Sequence, residues 1–310
     1  MNIDIPLPTQ PLRYIGSKYR MTPFLIEQIL KLKKSYFLDE FREVFVGTGS
    51  VSFEMMRKKE FSSFLLNDID PAITCYFLAI RDYPEQLINR IKTSEFSKIF
   101  YAESIIILKK LQAVPLCANE IVNIAFRKLF VHRYSFSGLG VKSTTPVTKG
   151  NNRWNDLKLI EAVEILHARA KNSNLKIENK HYFEFLAEKN DRALIYLDPP
   201  YVGVGEQVYQ FGFNFCDHIH LAESIKNSPH PFILSYDNHE LVLDLYSSWT
   251  KIMKVPIWYP NQNSRKEELI ITPLKSNRIR VYMGVVNPLR KSCSFIPQKI
   301  SFSKIKTKVK

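Results

Sequence analysis

The sequence predicts an α/β fold in which short buried strands of a parallel sheet alternate with helices. Three observations predict it. Short apolar runs without polar–apolar alternation recur along the chain, as strands buried on both faces require, and amphipathic helical stretches separate them. Glu43-Val44-Phe45-Val46 runs into Gly47-Thr48-Gly49-Ser50 and then into a helical stretch, so a glycine turn joins a strand to a helix. Ala193-Leu194-Ile195-Tyr196-Leu197 runs into Asp198-Pro199-Pro200-Tyr201, where two prolines stop a strand and stiffen the corner after it.

In order, a proline-rich leader ends in Arg13-Tyr14-Ile15-Gly16-Ser17-Lys18, whose Gly-Ser turn suits either an ordinary loop or the placing of a ring and an ammonium beside a charged small molecule. A helix follows from Thr22 to Lys34, with Thr22 before Pro23 as its expected cap. The strand Glu43–Val46, the glycine turn and a helix from Val51 to Lys59 bring backbone close to a nucleotide-like ligand. Ser52 occupies the third glycine position of the dinucleotide fingerprint, which argues against NAD or FAD. A second strand, Phe61 to Leu66, ends in Asn67-Asp68-Ile69-Asp70, and an acid about 20 residues beyond a glycine turn suits ribose hydroxyls. An adenosine-bearing cofactor without a pyrophosphate meets this description, and S-adenosylmethionine is one.

From Cys75 to about Phe130 the pattern is helical. Val131 to Lys142 then mixes glycine turns, aromatics and basic residues, suited either to a hairpin against nucleic acid or to a lid. Arg133, Lys142, Lys149 and Arg153 would meet phosphates there, and Tyr134 and Phe136 would wedge or stack. An amphipathic helix spans Asp156 to Ala170, and Leu175 to Ile177 and Tyr182 to Leu186 read as returns to the sheet. After the Asp198 corner, Tyr209 to Phe215 reads as an aromatic loop beside the site. His218 to Ile225 is a helix, Phe232 to Ser235 a strand, and Glu268 to Thr272 belongs to a last strand pair.

The corner itself has a chemistry. An aromatic amine is a poor nucleophile because its lone pair is delocalised into the ring. If the Asp198 carboxylate and the Pro199 carbonyl each accept one N–H, the nitrogen is drawn towards tetrahedral geometry, and charge developing on it faces a preorganised acceptor. Tyr201 would stack on a base that has left its duplex.

Composition agrees. At 310 residues and 45% hydrophobic, the chain can bury a large core in one or two domains. A formal net charge of +14 and a pI near 9.5 indicate a polyanionic partner, nucleic acid, although many of the lysines sit after Asn287. The four cysteines have no paired spacing, so neither a zinc site nor a disulfide framework is expected. The two histidines near Cys216, His218 and His220, fall on opposite helix faces and do not make a metal site. The leader has no secretory pattern and no apolar run reaches transmembrane length, so a cytoplasmic, soluble protein is expected, with no membrane and no metal.

The blocks RYIGSK (13–18), EVFVGTGS (43–50), LLNDID (65–70), RYSFSGL (133–139), LDPPY (197–201), ILSYDN (233–238) and ELIIT (268–272), in this order, resemble the Dam-like D12 class of N6-adenine-specific DNA methyltransferases. The resemblance extends to about Lys275. It implies a class I S-adenosylmethionine-dependent methyltransferase fold, a Rossmann-like, mostly parallel sheet with helices on both faces, with residues 1–74 and 155–275 forming the catalytic domain. Residues 75–154 would be an inserted, mainly helical target-recognition domain with a hairpin near 133–153, and 276–310 a basic C-terminal extension. It implies cofactor contacts from Tyr14, Lys18, Phe45, Gly47, Gly49, Ser50, Asp68 and Asp198. Catalysis would fall to Asp198, Pro199 and Tyr201, and DNA contacts to Arg133, Tyr134, Phe136, Ser137 and Lys142. The implied activity is methyl transfer to adenine N6 in a specific duplex sequence, alone or beside a cognate restriction endonuclease. RNA or cytosine N4 as acceptor, and a non-catalytic nucleic-acid-binding protein on the same core, are the alternatives.

Three departures stand out. Tyr14 replaces a common Trp, and His181-Tyr182-Phe183 stands where Asp-Phe is frequent. Ser137-Gly138-Leu139-Gly140-Val141 replaces the Asn-Gly-Leu-x-Arg of GATC-reading members, so GATC is not implied.

Overall fold

The computed structural model describes residues 6–7, 9–13, 16, 18, 21–147, 154–203, 208–259 and 264–274, with backbone alone at 257–259 and 264–266. Tyr14, Lys149, Arg153, Cys293 and the basic extension lie outside the described residues.

Seven strands form one sheet in the order β3-β2-β1-β4-β5-β7-β6. The strands are β1 (Glu40–Glu43), β2 (Ser63–Asn67), β3 (Asn174–Glu178), β4 (Ala193–Leu197), β5 (Phe232–Asp237), β6 (Thr250–Tyr259) and β7 (Ser264–Pro273). The first five run parallel, and β7 is antiparallel to both β5 and β6. This is the class I methyltransferase strand order, so the expected α/β fold is the observed one. The strand order reverses between β1 and β4, and the crevice at such a point is where open α/β sheets hold ligands.

Strand β4 is central and every residue in it is buried. Its alternate side chains feed two cores. Leu194 and Tyr196 join Phe41, Phe64 and Ile233 on one face, whereas Ile195 and Leu197 join Leu65, Leu234 and Tyr236 on the other. The first face is covered by α1 (Thr22–Tyr36), α2 (Ser50–Lys58), α3 (Pro71–Asp82) and α7 (Asp156–Lys171). The second is covered by α8 (Tyr182–Ala187), α9 (Phe215–Asn227) and α10 (Glu240–Tyr246). A strand buried on both faces needs no polar positions, which is why β4 reads as an unbroken apolar run.

Helices α4 (Pro84–Lys92), α5 (Lys98–Lys110) and α6 (Ala118–Tyr134) follow α3; α4 and α6 pack against it and α5 packs on α6. An aromatic cluster seals this block: Phe100 meets Phe130 edge-on at 5.1 Å, and Tyr134 stacks on Trp154 at 5.7 Å. Trp154 leads into α7, so the helical block shares its interior with the sheet-covering helices.

Several expected boundaries move. The first strand is Glu40–Glu43, earlier than Glu43–Val46; Val44 and Val46 continue extended, donating to Tyr196 O at 3.1 Å and Asn67 O at 2.9 Å. Tyr182 to Leu186 is a helix, not a return to the sheet. Its buried residues Tyr182, Phe185 and Leu186 have i, i+3, i+4 spacing, while Phe183 between them is 41% exposed. Thr22 does not cap α1; its hydroxyl donates to Lys18 O at 2.9 Å and Met21 takes the cap position. Helix α6 persists to Tyr134, so His132, Arg133 and Tyr134 are helical. Two 3-10 turns, Phe136–Gly138 and Gly140–Lys142, come next, and a single antiparallel bridge, Ser135 to Pro146, closes the segment.

Candidate active site

A cleft enclosing about 730 Å³, open mouth included, lies over the carboxyl ends of β1, β2 and β4. Glu43, Asp68 and Asp198 contribute its carboxylates, Phe45, Phe211 and Phe213 its aromatic wall, and Gly47, Thr48 and Ser50 its turn.

The turn between β1 and α2 forms one arm. Gly47 and Gly49 have φ of +48° and +69°, in the left-handed region that side chains resist. At Gly49 the requirement is also steric, since a Cβ would stand 2.9 Å from the Phe53 ring and 3.0 Å from Phe77. The Gly47 N–H donates to Asp68 Oδ2 at 3.0 Å, and the Asp70 N–H donates to Asp68 Oδ1 at 3.0 Å. Asp70 in turn caps α3 by accepting from Ala72 N at 2.8 Å, and it pairs with the buried Lys128 at 2.6 Å. Burial, helped by the charge of Asp70, raises the Asp68 pKa to about 6, with Lys128 opposing the rise.

The Asp198 corner forms the other arm. Lys18 Nζ lies 2.7 Å from Asp198 Oδ1 and 2.9 Å from Oδ2, and it also donates to Gly16 O at 3.1 Å. Ser235, on β5, donates to Asp198 Oδ1 at 3.2 Å, with the Tyr196 hydroxyl 3.1 Å from its own. Burial raises the Asp198 pKa while Lys18 and Ser235 hold it down. Pro199 is buried and Pro200 faces the cleft. The Lys18 ammonium lies 4.8 Å from the centre of the Tyr201 ring and 3.9 Å from Glu268 Oε2 on β7.

Glu43 is the third carboxylate. It is 4% exposed and accepts from both the N–H and the hydroxyl of Ser52. Burial, which outweighs these bonds, pushes its pKa up to about 8, which favours its protonated form.

The sequence-expected cofactor residues Lys18, Phe45, Gly47, Ser50, Asp68 and Asp198 thus line one cleft, with Gly49 directly behind it; Tyr14 lies outside the described residues. Tyr182, in place of the frequent Asp, packs on Phe213 at 5.5 Å and Phe45 at 6.0 Å and so braces the aromatic wall. The residues expected to meet DNA divide. Phe136, Ser137 and Lys142 are exposed on the turns after α6, with Phe136 at 60%. Arg133 is buried, its Nε donating to Pro11 O at 2.7 Å and its Nη2 to Gln10 O and to Thr9 Oγ1; Tyr134 sits in the aromatic cluster. Arg133 therefore fastens the leader, away from the position where a phosphate would reach it. Ser235, Glu268 and Lys128 are site residues that sequence reasoning did not single out, although the first two fall inside the ILSYDN and ELIIT blocks.

The donor set fits an adenosine-bearing cofactor: a carboxylate beside a glycine turn for hydroxyls, an aromatic wall for a planar base, and a Lys18–Asp198 pair for a charged end. Among the described residues no cluster of three metal-binding side chains occurs and no helix is long and apolar enough to cross a membrane; Cys75 and Cys117 are free thiols.

A family model, the D12 class of N6 adenine-specific DNA methyltransferases, matches residues 14–257. The chain is 24% identical over 250 residues to the Type II methyltransferase M1.LlaDCHI of Lactococcus lactis subsp. cremoris, an alignment covering 76% of this chain and 84% of that protein. It is 22% identical over 228 residues to the Type II methyltransferase M.MjaIII of Methanocaldococcus jannaschii, covering 68% and 77% respectively.

Proposed function

The chain belongs to the D12 class of N6 adenine-specific DNA methyltransferases, and from that premise we propose that it methylates adenine N6 in a specific duplex DNA sequence, with the base flipped into the cleft. The methyl donor is S-adenosylmethionine, whose sulfonium supplies an electrophilic methyl group when bound. The observation that carries this reading is the convergence of the two arms, Gly47–Asp68 and Lys18–Asp198, on one cleft at the point where the strand order reverses.

The chain's own residues do the rest. Asp68 and the glycine turn hold the adenosine end. Asp198 and the Pro199 carbonyl accept the two N6 hydrogens, which directs the nitrogen lone pair at the methyl carbon. The bound cofactor would supply the methyl group and keep the C–S electron pair as a thioether, and the N6 proton displaced on transfer would pass to solvent. Lys18 and Ser235 fix the Asp198 carboxylate, so the acceptor is in place before charge develops on nitrogen. Tyr201 supplies a ring for the flipped base. Residues 75–154 serve as the target-recognition region, presenting Phe136, Ser137 and Lys142 to DNA. The names of the two relatives support a type II role, in which a cognate endonuclease cuts the same sequence.

The test is transfer of labelled methyl from S-adenosylmethionine to duplex DNA, followed by digestion to nucleosides. N6-methyladenine is expected, and Asp198→Ala, folded by circular dichroism, should lose the activity. Robust transfer by that variant, or label on cytosine, would overturn the reading.

A further inference from the structure

Lys128 is buried at 3% exposure in the middle of α6, a helix that otherwise belongs to the block expected to read DNA. Its ammonium reaches out of that block to Asp70 Oδ2 at 2.6 Å. From there a continuous chain of bonds leads into the cleft: the Asp70 N–H to Asp68 Oδ1, and Asp68 Oδ2 from the Gly47 N–H, each 3.0 Å. We propose that Lys128 is a positioning residue for the cofactor: by holding Asp70 it keeps Asp68 oriented and ionised for the ribose hydroxyls. The inference rests on the reading of Asp68 as a ribose ligand.

The charges around Asp68 make the point. Asp70 stands two residues away and repels it, Glu43 on β1 and the half-buried Tyr209 of the aromatic loop face it, and on β3 Glu178 is already paired with Lys180 at 2.9 Å. Lys128 is the cation that offsets Asp70. Without it two carboxylates would share a buried loop, and Asp68 would hold its proton to higher pH. The same helix continues to His132, whose Nδ1 lies 2.7 Å from Arg13 O, and then to the exposed turns. The cofactor acid and the expected DNA-contacting turn therefore hang on one rigid element.

The test uses the full chain as Lys128→Met, Lys128→Arg and Asp70→Asn. Carbon-detected NMR of the cofactor-free protein, with the Asp68 signal identified by its loss in Asp68→Asn, should titrate near pH 6 in the wild type. The midpoint should rise by about one pH unit in Lys128→Met, stay close to wild type in Lys128→Arg, and fall in Asp70→Asn. Calorimetry with S-adenosylmethionine should show Lys128→Met weakened ~threefold at pH 6.5, more at lower pH, and recovering by pH 8.5, as one unit of midpoint shift requires. An unmoved Asp68 titration in folded Lys128→Met, or a loss of affinity that ignores pH, would overturn the proposal. If Lys128→Met does not fold, the downward shift in Asp70→Asn decides, and its absence refutes the charge coupling. A wild type that fails to bind the cofactor would sink the functional reading while the titration still judged the coupling.

Discussion

Replacing Lys18 by Met is the most informative single perturbation of this protein. The ammonium is 5% exposed, lies 2.7 Å from Asp198 and 3.9 Å from Glu268, and covers one face of Tyr201. Methionine keeps an apolar stem against the ring, so the loss is chiefly electrostatic. Removing one partner of a buried pair strands the other, which costs about 3–5 kcal/mol. With a urea slope near 3 kcal/mol/M, the unfolding midpoint should fall by more than about 1 M. The sign with pH follows from Asp198. Burial already raises its folded pKa above the unfolded 3.8, and Lys18 opposes that rise. Without Lys18 the folded site retains a proton that the unfolded chain has lost, so the deficit is full at pH 8 and shrinks as pH falls through the new, higher pKa. Adding Glu268→Gln should recover part of the loss, because Glu268 shares the same ammonium. Urea unfolding of the wild type and both variants at pH 5 and pH 8 measures all of this. A deficit below about 1 kcal/mol at pH 8 that does not change with pH would show the pair to be solvated and the reasoning wrong.

Three other substitutions test the cleft. Glu43 carries a folded pKa of about 8 against 4.5 unfolded, so the folded state is penalised as pH rises between these values, by at most roughly 5 kcal/mol. Glu43→Gln, uncharged throughout, should therefore gain on the wild type from pH 5 to pH 9 in denaturant melts; a constant difference would mean Glu43 ionises normally. The two turn glycines should separate: Gly47→Ala meets no atom within 4 Å and should cost about 1 kcal/mol for its backbone conformation, whereas Gly49→Ala adds the Phe53 and Phe77 collision and should cost about 2–4 kcal/mol. Equal thermal shifts for the two would contradict the packing described.

What could be read from the sequence tracks how local the determining forces are. Strand β4 is found to the residue because five apolar side chains in a row are bounded by Asp-Pro-Pro. Strand β1 is displaced because its charged residues satisfy one another inside the sheet: Arg42 pairs with Glu40 at 2.6 Å and donates to Glu188 O. Neither partner advertises a buried strand. The glycine turn and Asp68 were legible by spacing, and Lys18 by its block. Lys128, Ser235 and Glu268 join the site through contacts 58, 37 and 250 positions away along the chain, which no local pattern encodes. Arg133 shows the converse. A basic residue beside aromatics suggests phosphate, yet the leader, more than 120 positions earlier, folds back and takes its donors.

That clasp has a consequence for length. The leader is fastened by Arg133 at Pro11 and, seven positions later, by Asp198 at Lys18. With the Arg13 carbonyl held by His132 between them, the number of residues separating these anchors is fixed. Trimming the chain ahead of Thr9 leaves both anchors intact, but adding or removing one residue between Pro11 and Lys18 would put the ammonium and the guanidinium out of step. The protein would then have to choose which of its two ends of the leader to keep.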